Sequence, residues 1–287
     1  MPELPEVEIV KRSLLNKVKN QKISKVGVFN RNLRYRIDDR FEVFLKNQKI
    51  LNITRKSKFI ILHFVNDNYC IIHLGMTGTL HLINKKYRNK NTNLSFYHSK
   101  FLPKKHNHIE FNFSKFNLVY NDPRRFGFFK LIKSKSELDS FFKPFYPEAL
   151  DSGFNLNYLK QKLKNKLKNI KNFLLDQNFV SGIGNIYASE ILYYCKLNPL
   201  KKGKNLNTKD MKKIVKYTYF VLNKAIKMGG STIKDFKNTK GSSGKFQKEF
   251  KVYERNNLKC LRKECKGIIK KIIINNRSTF YCNNCQK

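Results

Sequence analysis

Four cysteines near the C-terminal end place the strongest constraint on what this chain can fold into. They are spaced Cys260-x4-Cys265-x16-Cys282-x2-Cys285. Two close pairs separated by 16 residues fit a tetrahedral zinc site made of four thiolates. Two disulfides would instead require an oxidising compartment. Because four thiolates leave no open coordination position, we expect one structural Zn²⁺ per chain and no catalytic metal.

The segment that leads from the first cysteine pair to Cys282, GIIKKIIINNRSTFYC, predicts a β-hairpin, because runs with β-branched and aromatic residues flank an Asn-Asn turn. Arg277 then lies at or beside the hairpin tip. The chain has 60 Lys and Arg against 20 Asp and Glu, a net charge of +40, which favours a polyanionic partner. An AT-rich genome also produces an excess of lysine, so the charge indicates a class of partner and not a function.

Hydrophobic periodicity divides the rest of the chain into three regions. A first helix is indicated by apolar residues at helical spacing: Leu4, Val7, Val10, Leu14 and Val18. From about residue 22 to 132, short alternating or apolar runs predict antiparallel strands in a sandwich or barrel. Helical spacing returns from about 154, with one helix expected over 156–175, one opening at GIGN and one over 210–226. The fold class is therefore α+β.

The same changes in composition give the expected domain boundaries. They are an N-terminal helix with a β-sandwich at 1–135, a linker at 136–152, a helical domain at 153–235, a Gly/Ser-rich loop at 236–250 and the zinc hairpin at 251–287. The sequence contains no run of 18 apolar residues, so it predicts no membrane span. Acidic residues stand where a signal peptide would be basic. We therefore expect a cytoplasmic protein.

Five further motifs occur in a fixed order before the cysteines: MPELPEVE at 1–8, RKSKF at 55–59, HLGMTG at 73–78, NDPRRFG at 121–127 and DQNFVSGIGNIYASE at 176–190. With the zinc spacing, they resemble the formamidopyrimidine-DNA glycosylase family over the whole chain. The resemblance implies a helix–two-turn–helix domain, a lesion-recognition loop at 236–250, and excision of 8-oxoguanine and formamidopyrimidines from double-stranded DNA. It also implies strand cleavage at abasic sites by β,δ-elimination, and we expect a monomer.

The resemblance assigns the chemistry to the N-terminus. Removal of Met1 would expose the secondary amine of Pro2, which the family uses to attack C1′ of the damaged nucleotide. An α-amino group has a pKa of about 8, so part of it is unprotonated at neutral pH. The resulting iminium ion is an electron sink that permits elimination of the phosphates. By the same resemblance, Glu3 protonates the sugar ring oxygen, Glu6 is a supporting residue and Lys58 contacts phosphate beside the lesion.

The resemblance also implies a set of DNA-binding residues: His73, Met76, Arg124, Phe126, Lys171, Asn185 and Arg277. Asn185 opens a helix, where phosphates bind naturally, and Arg277 is expected to contact phosphate. Met76, Arg124 and Phe126 would fill the gap left by the everted nucleotide, which offsets part of the unstacking cost. Arg124 would also bond the orphaned partner base. From the residues alone, Met76 and Phe126 would be assigned to the core.

Two alternative functions remain open at this point. Endonuclease VIII, a sister family for oxidised pyrimidines, usually starts PEGPE, whereas Leu4 here matches the purine enzyme. A non-catalytic zinc-hairpin protein would bind nucleic acid without needing Pro2 and Glu3. One departure from the family occurs in KKHNHIEF, where Asn107 stands in place of a common aspartate, and we expect a lost ion pair there.

Overall fold

The computed structural model describes residues 2–84, 104–231 and 244–287. They form two units, one of residues 1–142 with 228–245 and one of residues 143–227 with 246–287. Of the loop expected at 236–250, residues 236–243 lie outside the described residues. No helix in the described ranges is long and apolar enough to cross a membrane.

The first helix, α1, spans Leu4–Val18, as the sequence predicts. Its five periodic apolar residues are all buried. Glu3 is the N-cap residue and forms a capping box with Glu6, which satisfies N–H groups that the first turn leaves open. Pro5 falls in that first turn, where a missing N–H costs nothing.

The rest of the first unit consists of β1 (Lys25–Val28), α2 (Phe41–Leu45), β2 (Asn52–Lys56), β3 (Phe59–His63), β4 (Tyr69–His73), β5 (Thr79–Asn84), β6 (Asn107–Asn112), β7 (Phe116–Asn121), β8 (Phe128–Ile132) and α3 (Lys135–Phe142). The strands form two antiparallel sheets, ordered β1-β6-β7-β5 and β2-β3-β4-β8. One apolar cluster joins α1 to the inner faces of both sheets. The predicted helix-plus-sandwich fold is confirmed.

The second unit contains α4 (Leu156–Leu163), α5 (Ile170–Leu175), α6 (Asn185–Cys195), α7 (Thr208–Lys227), β9 (Ile269–Ile274) and β10 (Arg277–Cys282). The prediction of one helix over 156–175 is wrong, because α4 and α5 are separate helices. Asn165 between them has a left-handed backbone with φ of 58°. Asn169 then caps α5 by accepting from the N–H of Asn172.

The predicted hairpin at the C-terminal end is confirmed. β9 and β10 pair antiparallel, with Arg277 opposite Ile274. Asn275 and Asn276 form the turn with φ of 46° and 56°, the left-handed pair that a two-residue hairpin turn requires. Arg277 is therefore the first residue after the turn, and it is exposed.

Candidate active site and nucleic-acid interface

The N-terminus is held against the first turn of α1. Pro2 is buried immediately before the helix, while Met1 lies outside the described residues. The N–H of Glu3 donates to Glu6 Oε2 at 2.9 Å, and the Glu3 side chain accepts from the N–H of Glu6. These reciprocal bonds fix the backbone of Glu3, the residue that follows Pro2.

The Glu6 carboxylate also binds a second segment of the same unit. Its Oε1 accepts from Ser231 N–H at 2.8 Å and from Ser231 Oγ at 2.9 Å. Gly230 before it has φ of +78°, and a Cβ at this position would lie 3.1 Å from Glu6 Oε1. Only glycine combines that backbone with that close approach. Sequence reasoning missed Ser231, although the Gly-Gly-Ser that contains it was visible.

Lys58 lies in the tight turn between β2 and β3 and is buried, with 6% exposure. Ser57 before it has a left-handed backbone with φ of 53°. Arg55 stabilises the turn by donating from Nη1 to Ser57 O at 2.8 Å, and it also pairs with Glu8 at 3.0 Å. The lysine therefore lies in a hydrogen-bonded turn between two strands and not at a free strand end.

His73 ends β4 and is neutral at physiological pH. Burial, together with the positive charges of Lys58 and Arg34, lowers the pKa of His73 to about 4. Its Nδ1 accepts from the N–H of Gly75 at 3.1 Å, so the proton of the neutral ring is on Nε2. The ring stacks on Phe128 with centroids 5.4 Å apart. His73 therefore offers a hydrogen-bond donor and not a cation.

Met76, Arg124 and Phe126 lie on two exposed loops of the first unit. Met76 and Phe126 are 40% and 41% exposed, so the assignment to the core that their residue types favour is wrong. The Arg124 guanidinium lies 4.6 Å from the centre of the Phe126 ring. These side chains are thus available to an external partner.

A buried carboxylate that sequence reasoning missed, Asp122, lies under these loops. Its Oδ1 accepts from Thr77 Oγ1 and, at 3.3 Å, from the N–H of Arg124. Its Oδ2 accepts from Tyr120 OH and from the N–H of Gly127, both at 2.9 Å. The one available signal was its place in NDPRRFG, directly after a buried strand.

In the second unit, α6 begins beside the hairpin strand that Arg277 opens. Asn185, the first residue of α6, donates from Nδ2 to Ser278 O at 2.8 Å. The Lys171 ammonium, fully buried, donates to Asn185 Oδ1 at 2.7 Å and to Thr279 Oγ1 at 2.6 Å. The structure therefore brings Lys171 and Asn185 together with the strand that carries Arg277.

The four cysteines of the tail meet in one cluster. Their Sγ atoms all lie within 4.8 Å of one another, with Cys265 and Cys282 3.5 Å apart and Cys260 and Cys285 3.9 Å apart. Tetrahedral coordination with Zn–S bonds near 2.3 Å requires sulfurs separated by about 3.8 Å. Gly267 allows this approach, since a Cβ there would lie 2.6 Å from Cys282 Sγ. The cluster fits one structural zinc ion.

Glu190, the last residue of the GIGNIYASE motif, anchors the segment that leads into the hairpin. Its Oε2 accepts from the N–H of Lys251 at 2.9 Å, and its Oε1 from those of Val252 and Tyr253 at 3.0 and 2.9 Å. Burial raises the pKa of Glu190, and the three backbone donors oppose that rise. Val252 belongs to the apolar cluster that contains Cys260 and Cys282. Sequence reasoning missed this role.

Asn107, the departure from the family pattern, has a defined partner. Its Oδ1 accepts from Asn121 Nδ2 at 2.9 Å between the paired strands β6 and β7. We expected an ion pair to be lost at Asn107, and the structure has a hydrogen bond between two neutral amides there.

Three family models match the chain. They describe the formamidopyrimidine-DNA glycosylase N-terminal domain at residues 1–129, the formamidopyrimidine-DNA glycosylase H2TH domain at 145–237 and a zinc finger found in FPG and IleRS at 257–287. Formamidopyrimidine-DNA glycosylases from Rickettsia bellii and Wolbachia pipientis are 40% and 41% identical to it. Each alignment spans 288 residues and covers 100% of both chains.

Solved structures from Lactococcus lactis have the same fold. An FPG mutant in complex with Fapy-dG containing DNA is 32% identical, with a TM-score of 0.88. A complex of Fpg with abasic site containing DNA has a TM-score of 0.87 at 32% identity. Both alignments cover 100% of the two chains compared.

Proposed function

This chain belongs to the formamidopyrimidine-DNA glycosylase family, and we propose that Pro2 is the nucleophile of its reactions. The protein is a base-excision-repair DNA glycosylase for oxidised purines and an AP lyase. The observation that carries the proposal for Pro2 is the pair of bonds between Glu3 and Glu6. They hold the residue next to the proline in one geometry, which is the main requirement of a positioned nucleophile.

The unprotonated amine of Pro2 attacks C1′, the bond from C1′ to the damaged base breaks, and the base leaves with the proton that the Pro2 nitrogen gives up. Glu3 gives a proton to the sugar ring oxygen as the ring opens, which leaves an iminium ion between Pro2 and the sugar. Loss of a C2′ proton then expels the 3′ phosphate, and a second elimination expels the 5′ phosphate. Glu6 supports both residues through its bonds to the N-terminal turn.

Four residues hold the phosphates and the everted nucleotide. Lys58 projects from its rigid turn towards a phosphate, and His73 donates from Nε2. Asn185 and Arg277 bind phosphate together, because Ser278 O links the α6 N-terminus to the hairpin strand. Lys171, whose ammonium is bonded to protein acceptors, fixes the other two and contributes to DNA binding through them.

Met76, Arg124 and Phe126 fill the gap in the duplex. The exposure of Met76 and Phe126 supports this role, since both apolar side chains would lose unfavourable contact with water on insertion. The partner is double-stranded DNA and the chain acts as a monomer. The protein works in the cytoplasm. Our domain proposal remains the division into 1–135, 136–152, 153–235, 236–250 and 251–287, although helix α3 occupies the start of the proposed linker.

Borohydride trapping tests the nucleophile. Reduction during reaction with an 8-oxoguanine duplex should give a covalent adduct that maps to the N-terminal peptide beginning at Pro2, and mass spectrometry should show that Met1 is absent. An uncleaved N-terminal tag should abolish cutting and trapping but leave DNA binding. An adduct on Lys58 would refute the proposal. Faster excision of thymine glycol than of 8-oxoguanine would instead favour the endonuclease VIII alternative.

A further inference from the structure

The two loops that carry the gap-filling side chains share one buried carboxylate. Thr77, next to Met76, donates to Asp122 Oδ1, and the N–H groups of Arg124 and Gly127 donate to Oδ1 and Oδ2. Asp122 has no exposed surface. We propose that Asp122 is a positioning residue that holds the two loops in one fixed register, so that the gap-filling side chains enter the duplex together.

The backbones of the two loops also touch directly. Gly75 has φ of +65°, and a Cβ there would lie 2.4 Å from the carbonyl carbon of Phe126. A Cβ on Gly127 would lie 2.6 Å from His73 O. Because the loops have no space between them, a shift of one displaces the other. The carboxylate of Asp122, which both loops bind, therefore fixes the position of both.

The geometry requires two acceptor oxygens and not one. In Asp122→Asn one oxygen becomes an NH₂ group that faces two donors. The hydroxyl groups of Thr77 and Tyr120 can rotate and accept, but the N–H groups of Arg124 and Gly127 cannot. If the NH₂ group takes the Oδ2 position, the N–H of Gly127 loses its acceptor. If it takes the Oδ1 position, the N–H of Arg124 keeps only its 3.3 Å bond to Thr77 Oγ1. The substitution therefore perturbs the loop with almost no change in volume.

The inference rests on the proposed role of Met76, Arg124 and Phe126, and two substrates separate it from the amine chemistry. One is 8-oxoguanine in a duplex, whose excision requires the gap to be filled. The other is an abasic site in single-stranded DNA, which has no partner base and no gap to fill, so that it needs the chemistry at the N-terminus but not the two loops. Asp122→Asn should slow the duplex reaction at least about tenfold, the usual effect of one unsatisfied buried group, and leave the single-strand reaction within about twofold.

Thr77→Val and Tyr120→Phe complete the design, with thermal unfolding measured for each variant. Thr77→Val removes the link between the loops and should reduce the preference for cytosine over adenine opposite the lesion, as Asp122→Asn does. Tyr120→Phe leaves both loop N–H groups bonded and should retain that preference. If Asp122→Asn does not fold, Thr77→Val alone decides the question.

Equal losses on both substrates, or an unchanged opposite-base preference in folded Asp122→Asn and Thr77→Val, would overturn the inference. Arg124→Ala distinguishes this result from failure of the proposed function. If Arg124→Ala relaxes the opposite-base preference and the other two variants do not, only the role of Asp122 is wrong. If Arg124→Ala also has no effect, the gap-filling role itself is wrong.

Discussion

Replacing Glu190 by glutamine should loosen the zinc hairpin without touching a zinc ligand. Three backbone N–H groups share the two oxygens of this buried carboxylate. The amide leaves at least one of them without an acceptor, at a cost of about 1–3 kcal/mol. The remaining bonds lose their charge assistance, at about 1 kcal/mol in total or somewhat more. We therefore expect the free energy of opening to fall by about 3 kcal/mol.

Release of zinc to a coloured chelator measures this opening, because a structural zinc ion leaves when its folded site opens. A loss of about 3 kcal/mol corresponds to release about 100-fold faster. Glu249→Gln is the matched control, since Glu249 is one-third exposed and makes one ion pair, with Lys224 at 2.6 Å. That surface pair is worth about 1 kcal/mol or less. The reasoning would be refuted if Glu190→Gln released zinc at the wild-type rate, or if Glu249→Gln released it as fast as Glu190→Gln.

Three further predictions concern phosphate binding, the metal and acid stability. Arg277→Ala should weaken binding to damaged and undamaged duplexes alike and reduce the slope of log affinity against log salt by about one, as titrations at several salt concentrations would show. Cys282→Ser should lose zinc and DNA affinity together, measured by metal analysis and anisotropy; wild-type binding would contradict the hairpin assignment. Burial opposes ionisation of Glu8, but hydrogen bonds from Lys11 and Arg12 outweigh it and lower the pKa of Glu8 below 4.5. Its contribution to stability is present above pH 4.5 and lost as the pH falls through the folded pKa, so Glu8→Gln should flatten the acid limb of a plot of Tm against pH.

Sequence reasoning succeeded where a residue type and its spacing determine the structure by themselves. The face of α1 was predicted because its five apolar positions are all in the core, and the hairpin because Asn-Asn suits a left-handed turn. Strand β2 has only a weak signal in the sequence, because only Ile53 of its five residues is buried. The break after α4 was missed because the lysine-rich segment keeps a helical period while Asn165 and Asn169 interrupt the backbone.

The site residues that sequence reasoning missed are defined by distant partners. Thr77 lies 45 positions from Asp122, and Val252 lies 62 positions from Glu190. Ser231 meets Glu6 across 225 positions. A buried carboxylate carries no periodic signal, and its neighbours are known only once the chain has folded. Asp122 and Glu190 stand inside recognisable motifs, but the motif alone does not give their partners.

The second unit is made of two separate stretches of the chain, 143–227 and 246–287. This arrangement has a consequence for the order of events during folding. The zinc ligands Cys260 and Cys285 are 25 positions apart, whereas Lys171 and Thr279, which join the helices to the hairpin, are 108 apart. Closing the longer loop costs about 1.3 kcal/mol more in chain entropy, and contacts distant in sequence form slowly. We therefore expect metal capture, which is local in sequence, to precede docking of the hairpin on α6. Zinc uptake and competence to bind DNA should then be separated in time when the protein refolds.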